Sequence, residues 1–197
     1  MELILASESA SRRAMLLAAG VPVTCVGAQV DEGAIRDSLR AEGRRVRDVA
    51  DALAEAKAVK VSRRHPGALV LGADSMLAFG DRHIDKAESI AAARDQLRAL
   101  RGQPHSLVSA AVVALDGVPV WRHVGVARLV MRDFSDAFLE EYVAAEGEAL
   151  LTTVGGYRLE GLGAQLFSAV EGDYFTVLGL PLLAVLGYLR ERGVMAA

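Results

Sequence analysis

The sequence predicts an α/β or α+β domain built on a mixed sheet, and three observations predict it. Helical and strand-like patterns alternate along the whole chain, with no repeat, linker or low-complexity tract between them. Residues 68–73 form a continuous apolar run, the pattern of a central strand covered on both faces. The segments 106–115 and 118–129 are joined by Asp116-Gly117, the strongest hairpin signal in the chain, so at least one strand pair is antiparallel.

The elements follow in order. Leu3, Ile4 and Leu5 read as a short buried strand, followed by Ser7, Ser9 and Ser11, then Arg12 and Arg13, then a helical pattern over 14–19. Strand, hydroxyl-rich turn and helix start bring N–H groups, hydroxyls and a guanidinium to one point, which suits a phosphate. The same residues also read as a helix capped by Ser9 or Ser11 with two solvated arginines. Residues 21–26 read as a strand, and Asp31-Glu32-Gly33 ends it with adjacent carboxylates that suit either a metal or a plain turn. A helix over 34–42 stops at Gly43. The next helix has Asp48 as N-cap and Val49, Ala52, Leu53 and Ala56 as its apolar stripe. At ~100° per residue, Lys57 falls on the border of that stripe and Lys60 nearer its middle, and periodicity does not choose between them.

Asp74 and Ser75 follow the apolar run, which places Asp74 at the carboxyl end of a central strand, where open α/β sheets gather ligands. Gly80-Asp81 is a turn, and Asp85-Lys86 leads into a helix over 89–100 that Gly102 ends. Trp121 reads as packing. Ser135 caps a helix carrying Phe138, Leu139, Tyr142 and Val143, closing near Gly147. Glycines at 155, 156, 161 and 163 surround Glu160 with room for a ligand to approach the backbone. Gly172-Asp173-Tyr174 is a tight turn, Pro181 opens the last helix and Gly193 closes it.

With 197 residues, 52% of them hydrophobic, the chain can bury a sizeable core as one domain or one two-lobed domain. No apolar run nears the ~18 residues of a membrane span, and the start is too polar after Leu5 for a signal peptide. A net charge of −3 gives no general attraction to nucleic acid or anionic membrane. The expectation is a soluble, cytoplasmic protein with no nucleic-acid or membrane partner. Cys25 stands alone, which excludes an internal disulfide and a thiolate cluster, and reads as a small buried hydrophobe. His65, His83, His105 and His123 show no metal-ligand spacing.

P-loop, dinucleotide-fingerprint and nucleophile-elbow motifs are all absent. What remains is a scattered set: Ser7, Ser9, Arg12, Lys57 and Lys86 as donors and cations, Glu32, Asp74 and Glu160 as carboxylates. Splitting a nucleoside triphosphate needs cations on the phosphates, a carboxylate-held metal and a base for water, and this set supplies all three.

Six motifs in order, S-x-S-x-x-R, A-E-A-K-A, G-A-D-S, D-K-A, G-Y-R-L-E-G-L-G and G-D-Y-x-x-V-x-G-L-P-L, span essentially the whole chain. With them the chain resembles the Maf family of nucleotide pyrophosphatases, once called septum-formation inhibitors. The resemblance implies a single 1–197 domain with an α/β fold like that of inosine triphosphate pyrophosphatases. That fold is two-lobed, a mixed, curved sheet flanked by helices around a deep central cleft. It also implies a homodimer and hydrolysis of a nucleoside triphosphate to the monophosphate and pyrophosphate with Mg2+ or Mn2+, Co2+ being a further metal to test. Ser7, Ser9 and Arg12 then match the phosphate-binding motif, Lys57 the family's helix lysine, and Asp74 the general base and metal contact. Lys86 matches the lysine before the usual proline, and Glu32 the acidic residue after the second strand.

The chain departs from the pattern at Ala10, Ser75 and Ala87, where the family commonly has proline, threonine or glutamine, and proline. Ser11 and Glu160 stand where dTTP- and UTP-specific members carry arginine and glutamine. Glu160 in E-G-L-G resembles the branch that prefers 7-methyl-GTP, and a carboxylate suits the N1–H and N2–H2 donors of a guanine edge. Two alternatives remain: a nucleotide-binding regulator of cell division without significant hydrolysis, and a pyrophosphatase for dTTP and UTP or for inosine and xanthosine triphosphates.

Overall fold

The computed structural model describes residues 2–196. A seven-stranded mixed sheet runs β2-β1-β3-β5-β6-β7, with β4 paired beside β3. The strands are β1 (Leu3–Leu5), β2 (Thr24–Cys25), β3 (Leu69–Phe79), β4 (Arg82–Ile84), β5 (Pro104–Leu115), β6 (Val118–Met131) and β7 (Phe167–Glu171). β1 lies parallel to both β2 and β3, and the other pairs are antiparallel. The helices are α1 (Ala10–Ala18), α2 (Glu32–Ala41), α3 (Val46–Ser62), α4 (Ile90–Leu100), α5 (Asp136–Glu146), α6 (Tyr174–Val177) and α7 (Leu182–Glu191). No helix among the described residues is long and apolar enough to cross a membrane.

Local chemistry accounts for most boundaries. Ser9, Asp31, Ser89, Ser135 and Asp173 cap α1, α2, α4, α5 and α6 by accepting an N–H three residues on. Asp116 and Gly117 both have positive φ, 50° and 78°, the backbone that a two-residue β5–β6 turn requires. Trp121 packs as expected, stacked 5.0 Å from Tyr188 of α7.

Several expectations are corrected. The 21–26 strand shrinks to two residues at the edge of the sheet, and Cys25 in it is exposed, not buried. Asp48 lies inside α3, which begins at Val46, and its carboxylate pairs with the N-cap residue Arg45. Glu32 opens α2 instead of ending a turn. Asp74 is not a strand end: β3 continues to Phe79 and turns through Gly80-Asp81 into β4, a short strand the sequence did not suggest. Gly172-Asp173-Tyr174 leads into α6, and the edge strand β7 precedes it.

The long strands β3, β5 and β6 serve more than one apolar cluster. Leu69, Leu71, Ala73, Ala111 and Val113 pack under α1 and α7. Ala110, Val112 and Met76 pack under α3 on the opposite face. Leu77, Leu107, Ala127 and Leu129 belong to a third cluster with α4 and α5, which forms the second lobe. Asp74, Ser75 and Ser109 fall where β3 and β5 pass from one cluster to the next.

Candidate active site

α3 reaches this boundary because β3 has a glycine at the crossing point. A Cβ on Gly72 would overlap the Ala54 carbonyl oxygen and lie 2.7 Å from the Ala58 nitrogen, so only glycine permits the observed approach. That approach sets Lys57 over the strand. Its Nζ lies 2.7 Å from Asp74 Oδ1 and 3.0 Å from Glu32 Oε1. The Lys57 and Asp74 side chains are only 8% and 9% exposed, whereas Glu32 is 42% exposed and opens to solvent. One buried ammonium thus bridges two carboxylates from different elements.

Lys60, nearer the middle of the stripe read from sequence, is exposed and donates to the carbonyl of Gln29. The buried face of α3 carries Val49, Ala50, Leu53, Ala54, Lys57, Ala58 and Val61. Alanines at 50, 52, 54, 56 and 58 lie all round the helix, so they leave its rotational phase undetermined.

Arg12 arrives from the other side. Ser7 and Arg12 flank the turn between β1 and α1, and β1 pairs in parallel with β3. The guanidinium donates through Nε to the Gly179 carbonyl at 2.8 Å, through Nη1 to Ser7 Oγ at 3.2 Å and through Nη2 to Ser75 Oγ at 3.0 Å. The remaining N–H groups of the fork stay open. Ser7 Oγ also accepts the Ser9 N–H at 3.2 Å, which leaves its own proton available to an incoming acceptor. Among the described residues no carboxylate lies within ion-pair distance of Arg12. Burial lowers the guanidinium's hold on its proton, and the charges of Asp74 and Glu32 oppose that loss.

Lys86 follows Asp85 in the segment between β4 and α4. The Asp85 carboxylate takes Arg40 at 2.9 Å and Arg36 at 3.4 Å, which ties this segment to α2. Burial, then the charge of Arg12, pull the Lys86 ammonium below the usual lysine range, with Lys57 adding to this and Glu32 and Asp74 opposing it. Lys86 itself is exposed, and the charges of Arg12, Glu32, Lys57 and Asp74, distant from it in sequence, bear on it. Glu160 does not join them: it is exposed, in the loop before the 3-10 turn at Leu162–Leu166, and its charge acts on Arg158.

Ser7, Ser9, Arg12, Glu32, Lys57, Asp74 and Lys86 are thus brought to one place, and Glu160 stands apart. Ser75, Ser109 and Gly179 belong to the same place and were not singled out as site residues. The G-A-D-S motif, at Ser75, and the G-L-P-L motif, at Gly179, held hints of two of them. A concavity of about 420 Å3 between α2, α3 and β6 lies elsewhere. Arg122 spans it by pairing with Asp51 and Glu55.

Fold and site together define a mixed α/β protein in which a guanidinium held by hydroxyl and carbonyl oxygens and an ammonium–dicarboxylate cluster meet midway along the sheet. The family model described as Maf-like protein matches residues 2–192, and the chain belongs to that family. It is 52% identical over 191 residues to a nucleoside triphosphate pyrophosphatase of Hyphomonas neptunium, covering 97% of this chain and 96% of the relative. Proteins of the same name from Paramagnetospirillum magneticum and Caulobacter vibrioides are each 53% identical, over 190 and 191 residues. These alignments cover 96% and 97% of this chain and 98% and 96% of the two relatives.

Proposed function

We propose that this chain hydrolyses a nucleoside triphosphate between its α- and β-phosphates, giving the monophosphate and pyrophosphate. The observation that carries this reading is the Lys57–Asp74 contact beside the open fork of Arg12. Arg12, the Ser7 hydroxyl and Lys86 neutralise and orient the phosphate chain. Asp74 accepts the proton of the attacking water, and Lys57 holds its carboxylate in place. The names of the relatives support the same reaction.

The donor set also fits a divalent cation. Mg2+ commonly takes one or two protein carboxylates and completes its shell with phosphate oxygens and water. Glu32 and Asp74 are two such carboxylates sharing one cationic neighbour. Among the described residues no cluster of three or more metal-binding side chains exists, so the fit is to a cation carried in with the triphosphate. Bound there, Mg2+ or Mn2+ supplies charge stabilisation of the phosphoryl oxygens. Glu160 supports the finer reading of a 7-methyl-GTP preference. Its exposed carboxylate is free to accept from the N1–H and N2–H2 groups of a guanine edge.

The test is pyrophosphate release across a nucleotide panel with Mg2+, Mn2+ and Co2+, for wild type and Asp74→Asn. Wild type is expected to turn over, with 7-methyl-GTP preferred, and the variant to lose at least a hundredfold. Tight nucleotide binding without turnover on any member would favour the regulator instead, and full activity of Asp74→Asn would remove Asp74 from the chemistry.

A further inference from the structure

We propose that Ser109, buried in the middle of β5, is a positioning residue that orients Arg12 through Ser75, an inference resting on the reading of Arg12 as a phosphate ligand. Ser109 is fully buried, with Val108 before it and the run Ala110, Ala111, Val112, Val113 and Ala114 after it. Its Oγ lies 2.8 Å from the Thr176 carbonyl oxygen and 2.9 Å from Ser75 Oγ. A carbonyl only accepts, so the single Ser109 proton goes to Thr176. Ser75 must then donate to Ser109 and present a lone pair to Arg12 Nη2, 3.0 Å away. The direction of the Ser75–Ser109 bond follows from that one carbonyl, and the longer contact from Ser75 to the Gly179 carbonyl, at 3.2 Å, is secondary to it.

The far end is anchored as firmly. The Thr176 N–H and hydroxyl both donate to the Asp173 carboxylate, at 2.8 and 2.9 Å. Two glycines make room for the arrangement. A Cβ on Gly125 would collide with the Thr176 hydroxyl, and one on Gly179 (φ +101°) would lie 3.2 Å from Ser75 Oγ. With Ser109 replaced by alanine, the Ser75 proton has one acceptor left, the Gly179 carbonyl at 3.2 Å. Ser75 Oγ is then held by that longer contact alone, so a turn about its Cα–Cβ bond that carries it off Arg12 Nη2 is no longer opposed by Ser109, and one of the guanidinium's three tethers loosens.

Calorimetric titration with inorganic tripolyphosphate tests this, with circular dichroism confirming the fold of each variant. Ser109→Ala is expected to weaken binding about tenfold in the wild-type background. In an Arg12→Lys background, which has no fork to orient, the same substitution is expected to change Kd less than about twofold. Equal losses in both backgrounds would reduce Ser109 to a structural residue and overturn the proposal. Should Ser109→Ala fail to fold, the pair Ser75→Ala and Ser75→Thr carries the test. The alanine variant is expected to weaken binding about tenfold and the threonine variant, which keeps the hydroxyl, to restore it; equal Kd for both overturns the proposal. Wild type that does not bind tripolyphosphate would overturn the phosphate reading and this inference with it. Wild type that binds no better than Ser109→Ala would overturn the inference alone.

Discussion

Lys57→Met is the most informative single perturbation, because methionine keeps the unbranched stem of lysine and deletes only the charge. The ammonium lies 2.7 Å from Asp74 and 3.0 Å from Glu32. At that shorter distance the pair attraction is about 6 kcal/mol for an effective dielectric of about 20, most of it offset in the native protein by desolvation of both groups. Without the ammonium the two carboxylates respond differently. Glu32, 42% exposed, turns to water, whereas Asp74, 9% exposed, stays a buried charge without a partner. Breaking such a pair from one side costs roughly 3–5 kcal/mol. The exposure of Glu32 argues for the lower end, so a loss of about 3 kcal/mol is expected. For a chain of this length that lowers Tm by about 6–12 °C. Urea denaturation of wild type, Lys57→Met, Asp74→Asn and the double variant closes the cycle. The double variant should be more stable than Lys57→Met alone, because the uncompensated charge is gone. A loss under about 1 kcal/mol, or strictly additive effects, would refute the claim that Lys57 neutralises Asp74.

Two further expectations follow from neighbouring geometry. Gly72→Ala places a methyl against the α3 backbone at Ala54 and Ala58, so it should cost about 1–3 kcal/mol by overpacking and lower kcat by moving Lys57 off Asp74; unchanged urea midpoint and turnover would contradict this. Burial lowers the His105 pKa to about 4 from an ordinary 6.5, so the folded protein keeps this ring neutral, 2.7 Å from the Tyr157 hydroxyl. The unfolded chain takes up the proton first as pH falls, so this stabilisation is complete above about pH 6.5 and declines toward pH 4, by roughly 3 kcal/mol. Urea midpoints of wild type and His105→Gln should therefore converge between pH 7 and 4.5, and parallel pH profiles would refute the assignment.

The fold was legible wherever a local rule sufficed. Ser135 caps α5 because a hydroxyl before an apolar-periodic run has one favoured use. Asp116-Gly117 turns a hairpin because few residues accept positive φ in succession. Asp74 was placed at a strand end because a carboxylate after an apolar run normally marks water, yet here it marks a polar seam crossing a continuing strand. Lys57 was recovered by motif and not by periodicity, since alanines at every second position hide the phase of α3. Ser109 was silent, because a serine within a β-strand has the same local signature whether it faces solvent or organises an arginine 97 positions away. The sequence gap carries no trace of the contact until β3 and β5 are paired, Ser75 opposite Ser109.

The bond from Arg12 to the Gly179 carbonyl joins residues 167 positions apart. During synthesis, the guanidinium emerges from the ribosome well before the carbonyl that steadies it. A nascent chain therefore carries an incompletely organised anion anchor until Gly179 is exposed. Any truncation before the α6–α7 connection removes that carbonyl together with the α7 side chains that pack against α1, and leaves the arginine only its contacts with Ser7 and Ser75.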